Sequence, residues 1–285
     1  RDSFSGSLPP RAFYIYLPRG YAEHIDKKYP VLYMHDGQNC FETYHQDSYT
    51  GAWRAEEAAD AIIGSGRMQE CIIVGVSNGL SERMAEYLPP YASYRMPKRP
   101  TPRRKGKRSK RRTAPNPPII GRADQTLAFY QDEVAPYIND RFRTLTDRDN
   151  TATCGSSMGG LFSTYIAWEH PRFARHHALM SPAYHTTRRA DGAMEAVERM
   201  RCHPRPDVRI WLDSGTRDTE DSGDDDMVET QQARDALLAA GFTPGDDFRY
   251  YLDHGAIHHE SAWSKRLPQV FEFLFPLTPP KNNPS

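Results

Sequence analysis

A regular alternation of short apolar runs with longer helix-forming stretches limits what this chain can fold into more than any other feature. Residues 13–17, 30–35, 71–76, 151–154, 178–180, 208–212 and 248–252 are short and rich in β-branched, aromatic or other apolar residues. Between them, 52–63, 126–142, 158–169, 194–200 and 228–240 carry helix-forming patterns. A last region, 261–275, sets Trp263, Leu267, Val270, Phe271 and Leu274 on one helical face, and Pro268 is expected to break or kink it. Strands that alternate with helices of this length predict an α/β protein with a mostly parallel sheet covered by helices on both faces. The 285 residues suffice to bury a core of that kind.

No apolar run approaches the roughly 20 residues of a membrane span, so a transmembrane role is not expected. Cys40, Cys71, Cys154 and Cys202 form no C-x-x-C pair, which argues against a zinc ribbon or a disulfide scaffold; Cys71 and Cys154 read as buried free thiols. The chain begins at Arg1, as a trimmed or processed product would, so the compartment is left open, as is the oligomeric state.

Net charge is zero, but it is distributed unevenly. Residues 87–122 hold twelve Lys/Arg, no Asp/Glu and eight prolines, which leaves 25 basic against 37 acidic residues elsewhere. The central part, 98–112, lacks apolar periodicity and reads as a surface insertion on the loop side of the sheet, placed to act as a lid or to steer anionic substrates. A nucleic-acid partner is not expected, because no aromatics alternate with these charges. The opposite pole, 213–229, has eight acids and one base, yet it lacks the ligand order of a calcium loop. H-E-x-x-H is absent too, so no metal is expected.

One motif falls where such a fold places chemistry. Gly155-Ser-Ser157-Met-Gly159 has the form G-x-S-x-G, directly after the 151–154 strand and opening the 158–169 helix. A strand turning sharply into a helix lifts the serine hydroxyl above the sheet, and the helix N-terminus favours developing negative charge. A serine nucleophile needs a base, and the base an orienting acid, in chain order Ser, acid, His. The 208–212 strand leads to Asp213, Asp218 and Glu220, and the 248–252 strand to His254, His258 and His259. Spacing alone does not choose among them.

Pro30-Val-Leu-Tyr-Met-His-Asp-Gly-Gln38, Ile73-Val-Gly-Val-Ser-Asn78, Gly155-Ser-Ser-Met-Gly-Gly160, Asp213-Ser-Gly-Thr216 and Gly255-Ala-Ile-His-His-Glu-Ser-Ala-Trp263 stand in the order of landmarks of a known family. The chain resembles the putative esterase family, the esterase-D-like branch of α/β hydrolases that includes enterochelin-type, feruloyl and acetyl-xylan esterases and the mycolyltransferases. The resemblance covers about 11–275, the basic insertion excepted. It implies a single α/β-hydrolase domain over 1–275, interrupted at about 87–122, with 276–285 a disordered tail or linker.

The resemblance also implies a site. The family's acid follows its Gly-Thr turn, which falls on Asp218, with Glu220 as runner-up; the family most often has Glu there. Its His precedes Asn-Glu, which falls on His258, with His259 in the Asn place. Its oxyanion donors correspond to the backbone amides of Met158 and Gln38. The implied activity is ester hydrolysis through an acyl-enzyme, with a Ser157–His258–Asp218 triad and no cofactor, on small acyl or carbohydrate-linked (acetyl- or feruloyl-type) esters. Aromatic residues fall in segments expected to rim the site, with Trp53, Tyr87 and Tyr184 as substrate-binding candidates. The rival readings are an acyltransferase of mycolyltransferase type and a non-catalytic binding module.

Overall fold

The computed structural model describes residues 1–4, 6–97, 116–217 and 224–277. The basic run 98–112, Asp218, Glu220 and the tail from 278 lie outside the described residues.

Its strands are β1 (Asp2–Phe4), β2 (Arg11–Tyr16), β3 (Val31–His35), β4 (Ile72–Val76), β5 (Ser93–Tyr94), β6 (Ile119–Ile120), β7 (Thr151–Ser156), β8 (His176–Met180), β9 (Arg209–Gly215) and β10 (Phe248–Asp253). All but β5 and β6 form one sheet in the order β1-β2-β4-β3-β7-β8-β9-β10. β2 runs antiparallel to β1 and β4, and every pair from β4 to β10 is parallel. β3, β4, β7, β8 and β9 are buried throughout, so both faces of the sheet are covered. β3 and β4 read as nearly continuous apolar runs for this reason, while β7, β8 and β9 also bury polar residues such as Thr153, His177 and Asp213.

The helices are α1 (Ala55–Gly64), α2 (Arg83–Tyr87), α3 (Ala123–Phe129), α4 (Ala135–Arg141), α5 (Met158–Glu169), α6 (Glu195–Cys202), α7 (Met227–Ala239) and α8 (Glu260–Leu274). On one face, Val31, Tyr33 and Val74 lie in a core with Leu127, Val134, Leu161, Phe162 and Leu237. On the other, Leu32, Met34 and Ile73 meet Ala59, Ile62, Leu267, Val270 and Phe271 of α1 and α8. Residues of opposite parity thus supply the two cores, as the strand's period of two requires.

The helix expected over 126–142 divides into α3 and α4 around one π-turn, Tyr130–Val134, whose Tyr130 hydroxyl lies 3.1 Å from His35 Nδ1. Pro268 does not break the last helix. It lies inside a continuous α8, where the apolar face of Leu267, Val270, Phe271 and Leu274 is buried and offsets the hydrogen bond that proline cannot donate. β5 and β6 form a small antiparallel ribbon at the base of the basic insertion, and Tyr94 sets its ring edge-on against His185. The loops at the C-terminal ends of β3, β7, β9 and β10 converge at one end of the main sheet, the end at which parallel sheets carry their sites.

Candidate active site

β7 ends at Ser156, and Ser157 takes φ 56° and ψ −120° before α5 begins. A non-glycine residue in that region is strained, and the surroundings hold it there. The Ser157 amide donates to the Met180 carbonyl at 3.0 Å, and its carbonyl accepts from the amides of Leu161 and Ala183, each at 3.0 Å. Gly155 is required because a Cβ there would lie 2.7 Å from His35 Cδ2 and from the Gly159 backbone. Ser157 is half-buried at the N-terminus of α5, where first-turn amides such as that of Met158 have no partner within the helix.

His258 sits on the loop after β10. Its Nδ1 pairs with Asp225 Oδ1 at 2.5 Å, and Trp263 meets the ring edge-on at 4.9 Å. Asp225 is fully buried in a left-handed conformation, φ 56°, just before α7. Its Oδ2 accepts from the Gly215 amide and, at 2.7 Å, from Ser181 Oγ. Gly215 permits this crowding, since a Cβ there would lie 2.3 Å from the Ala256 carbonyl oxygen and 2.8 Å from Asp225 Oδ2. With Nδ1 bound to a carboxylate, Nε2 is the ring atom left for a proton exchanged with substrate.

Across the cavity, Asp36 is left-handed (φ 57°) and precedes the one-turn helix Gly37–Asn39 that carries Gln38. Arg83 grips the Asp36 carboxylate with two bonds of 2.7 Å, and Asn78 Nδ2 adds a third at 2.5 Å. Burial alone would raise the pKa of Asp36; Arg83 and Asn78 overcome it and hold the carboxyl below its usual range. The turn presenting Gln38 is therefore anchored by an ion pair. A cavity of about 500 Å³ is lined by Gln38, Ser157, His258, Glu260 and Trp263, with Tyr49 and Leu80 also on its wall. Among the described residues no three His, Cys, Asp or Glu side chains are grouped to hold a metal ion, and no helix is long and apolar enough to cross a membrane.

Ser157, His258 and Gln38 thus meet at one cavity, with the Met158 amide at the start of the adjoining helix. Asp218 and Glu220 lie outside the described residues; the carboxylate found at His258 is Asp225, which the sequence reading did not single out. His259 also lines the cavity, and its Nδ1 caps α8 by accepting from the Ser261 amide at 3.1 Å. Of the acids to which the 208–212 run leads, Asp213 belongs to the strand itself. It is buried within β9, bonded to Trp211 Nε1 and Arg266. The substrate-binding expectation for Trp53, Tyr87 and Tyr184 is corrected, because all three are buried core side chains and none lines the cavity. Tyr87 stacks on Phe162, Trp53 meets Trp263, and the Tyr184 hydroxyl pairs with Thr164. The large apolar side chains that do stand at the wall are the exposed Tyr49 and Leu80 and the buried Trp263.

A mostly parallel sheet with a strained serine between strand and helix defines an α/β hydrolase. The chain belongs to the putative esterase family, whose model matches residues 9–274, and it is a carboxylic-ester hydrolase. It is similar to the uncharacterized protein YbbA of Bacillus subtilis (strain 168), 22% identical over 269 residues, 93% of this chain and 92% of that protein. An endo-1,4-beta-xylanase/feruloyl esterase of Xylanibacter ruminicola is 24% identical over 92% of this chain, which spans 29% of that longer protein. Among solved structures, an IroE-like serine hydrolase from Shewanella oneidensis superposes with a TM-score of 0.68 at 18% identity, over 96% of this chain and 79% of that one.

Proposed function

We propose that residues 1–275 form one hydrolase domain that cleaves esters through an acyl-enzyme on Ser157, with His258 as proton carrier and Asp225 as its orienting acid. The observation that carries this reading is the 2.5 Å contact of Asp225 with His258 Nδ1, on the wall of the cavity that also exposes Ser157. Ser157 Oγ attacks the ester carbonyl while His258 Nε2 takes its proton. Asp225 keeps the imidazole in the tautomer with Nδ1 protonated and stabilises the imidazolium that forms. The amides of Met158 and Gln38 are the donors for the tetrahedral oxyanion. His258 then protonates the departing alcohol, water enters, and the same residue activates it to release the acid.

The substrate class is a small acyl or carbohydrate-linked ester of acetyl or feruloyl type. The cavity wall supports it: Tyr49, Leu80 and Trp263 offer apolar faces, while Gln38, Asn39, Thr50 and Asn78 offer uncharged hydrogen-bonding groups. Of the charged groups at the wall, Asp36 and Arg83 neutralise each other, and the Glu260 carboxylate accepts from Thr50 Oγ1 at 2.6 Å and from Asn39 Nδ2 at 3.3 Å. A relative that carries feruloyl esterase in its name points the same way. A parallel panel of acetyl, feruloyl and acetylated-sugar esters, with an acceptor alcohol added in a second series, tests the proposal. Free acid released from a neutral ester is the expected product; transfer of the acyl group to the alcohol in preference to water would replace hydrolase with acyltransferase.

A further inference from the structure

The orienting acid is itself held by a buried polar cluster that no step above uses. Arg266, on α8, is 1% exposed. Its Nη1 donates to Asp213 Oδ1 at 2.6 Å and to Ser181 Oγ at 3.2 Å, and its Nε donates to Asp253 Oδ2 at 3.0 Å. Nη2 has no hydrogen-bond partner among the described residues and lies 3.6 Å from Asp225 Oδ2. Ser181 Oγ is the hub. It accepts from Arg266 and, at 3.0 Å, from Trp263 Nε1, which leaves its own proton for Asp225 Oδ2 at 2.7 Å. Ser181 holds a positive φ of 39° to reach that point, and Asp213 Oδ1 also accepts from its amide.

Two fully buried carboxylates, Asp213 and Asp225, therefore share one buried guanidinium. Buried carboxylates without a cation are costly, and one whose second oxygen lacks donors can rotate away from its histidine. From this geometry we infer that Arg266, acting with Ser181, is a positioning residue that fixes Asp225 for His258. The inference rests on the proposed role of His258 and Asp225. It explains why α8, which begins two residues after His258, is tied to β8 and β9 through polar contacts inside an otherwise apolar core. The charged groups facing Asp225 are His258 from the loop after β10, Arg266 from α8 and Asp213 from β9. Its chain neighbours are Asp224 and Asp226, the latter bonded to His185 Nδ1 at 2.7 Å.

The test is a double-mutant cycle with a readout that needs no substrate. Arg266→Met is made in the wild-type and Asp225→Asn backgrounds; Arg266→Met with Asp213→Asn, which removes both charges of the buried pair, serves if the single variant does not fold. In the folded variant kcat should fall on the order of 10²-fold with KM little changed, as for a catalytic group displaced by about 1 Å. No further loss should appear in the Asp225→Asn background, because the effect passes through that carboxylate. The His258 Nδ1 proton, read by NMR without ester, should lose its far-downfield resonance. Losses that multiply in the Asp225→Asn background, or an unchanged resonance in a folded variant, would overturn the inference. If no ester were turned over even by the wild type, the proposed function would fall, while the resonance would still decide whether Arg266 positions Asp225.

Discussion

Asp225→Asn is the perturbation that most sharply separates the observed site from the one expected at Asp218. In the proposed mechanism the Asp225 carboxylate, 2.5 Å from His258 Nδ1, stabilises the imidazolium formed on that ring. With the two charge centres roughly 4 Å apart, the attraction is about 4 kcal/mol at an effective dielectric near 20. Losing it slows the chemical step by about 10³-fold. An amide at this position can also donate to Nδ1 and impose the wrong tautomer, which brings the loss toward ~10⁴. Thermal stability should change little, because Arg266 keeps Asp213 as a partner once one of the two buried carboxylates is neutral. The assay is kcat on an activated ester for Asp225→Asn and Asp218→Asn, beside thermal melts of both. Near-normal turnover in Asp225→Asn with a dead Asp218→Asn would refute the reasoning and restore the position that the family pattern implied.

His258→Ala should cost at least about 10³-fold in kcat, as for loss of a triad base, whereas His254→Ala and His259→Ala, both at exposed positions, should retain most activity; a dead His259→Ala would shift the assignment by one residue. Gly215→Ala should lower the melting temperature and activity together, because its Cβ would sit 2.3 Å from the Ala256 carbonyl oxygen, and overpacking of this kind costs roughly 1–3 kcal/mol; an unchanged melt would show that the loop yields. Burial lowers the pKa of His35 and His177 to about 3 and of His176 to about 4. Below about pH 6.5 the unfolded chain binds protons on these residues that the native state refuses, so stability falls as pH falls, by about 4 kcal/mol per unit for the three together. Urea unfolding at pH 7 and pH 5.5 reads this directly; equal stabilities would mean that none of the three rings resists protonation in the fold.

The central strands were legible as short apolar or β-branched runs because both of their faces are buried, and α5 was legible to the residue because the G-x-S-x-G turn marks its start. β5, β6 and α2 were not, since segments of two to five residues carry too little periodicity to register. Trp53, Tyr87 and Tyr184 were misplaced because aromatic rings near loop ends look alike whether they face a cavity or close a core; only contacts such as Tyr87 on Phe162 distinguish the two. Asp225 escaped because it is one of eight acids in 213–229, and nothing in their spacing singles out the one turned inward. Its signal is three-dimensional: a left-handed residue whose carboxylate reaches back to Gly215 and Ser181.

The most direct test is mass spectrometry of the protein after treatment with an organophosphonate ester, beside turnover of an activated ester by wild type and by Ser157→Ala. Hydrolysis through the strained Ser157 requires a single adduct on that residue, protected by substrate, and a folded Ser157→Ala variant that neither labels nor turns over. An adduct on Ser156, or undiminished hydrolysis by Ser157→Ala, would contradict the assignment of the nucleophile and with it the mechanism built on His258 and Asp225.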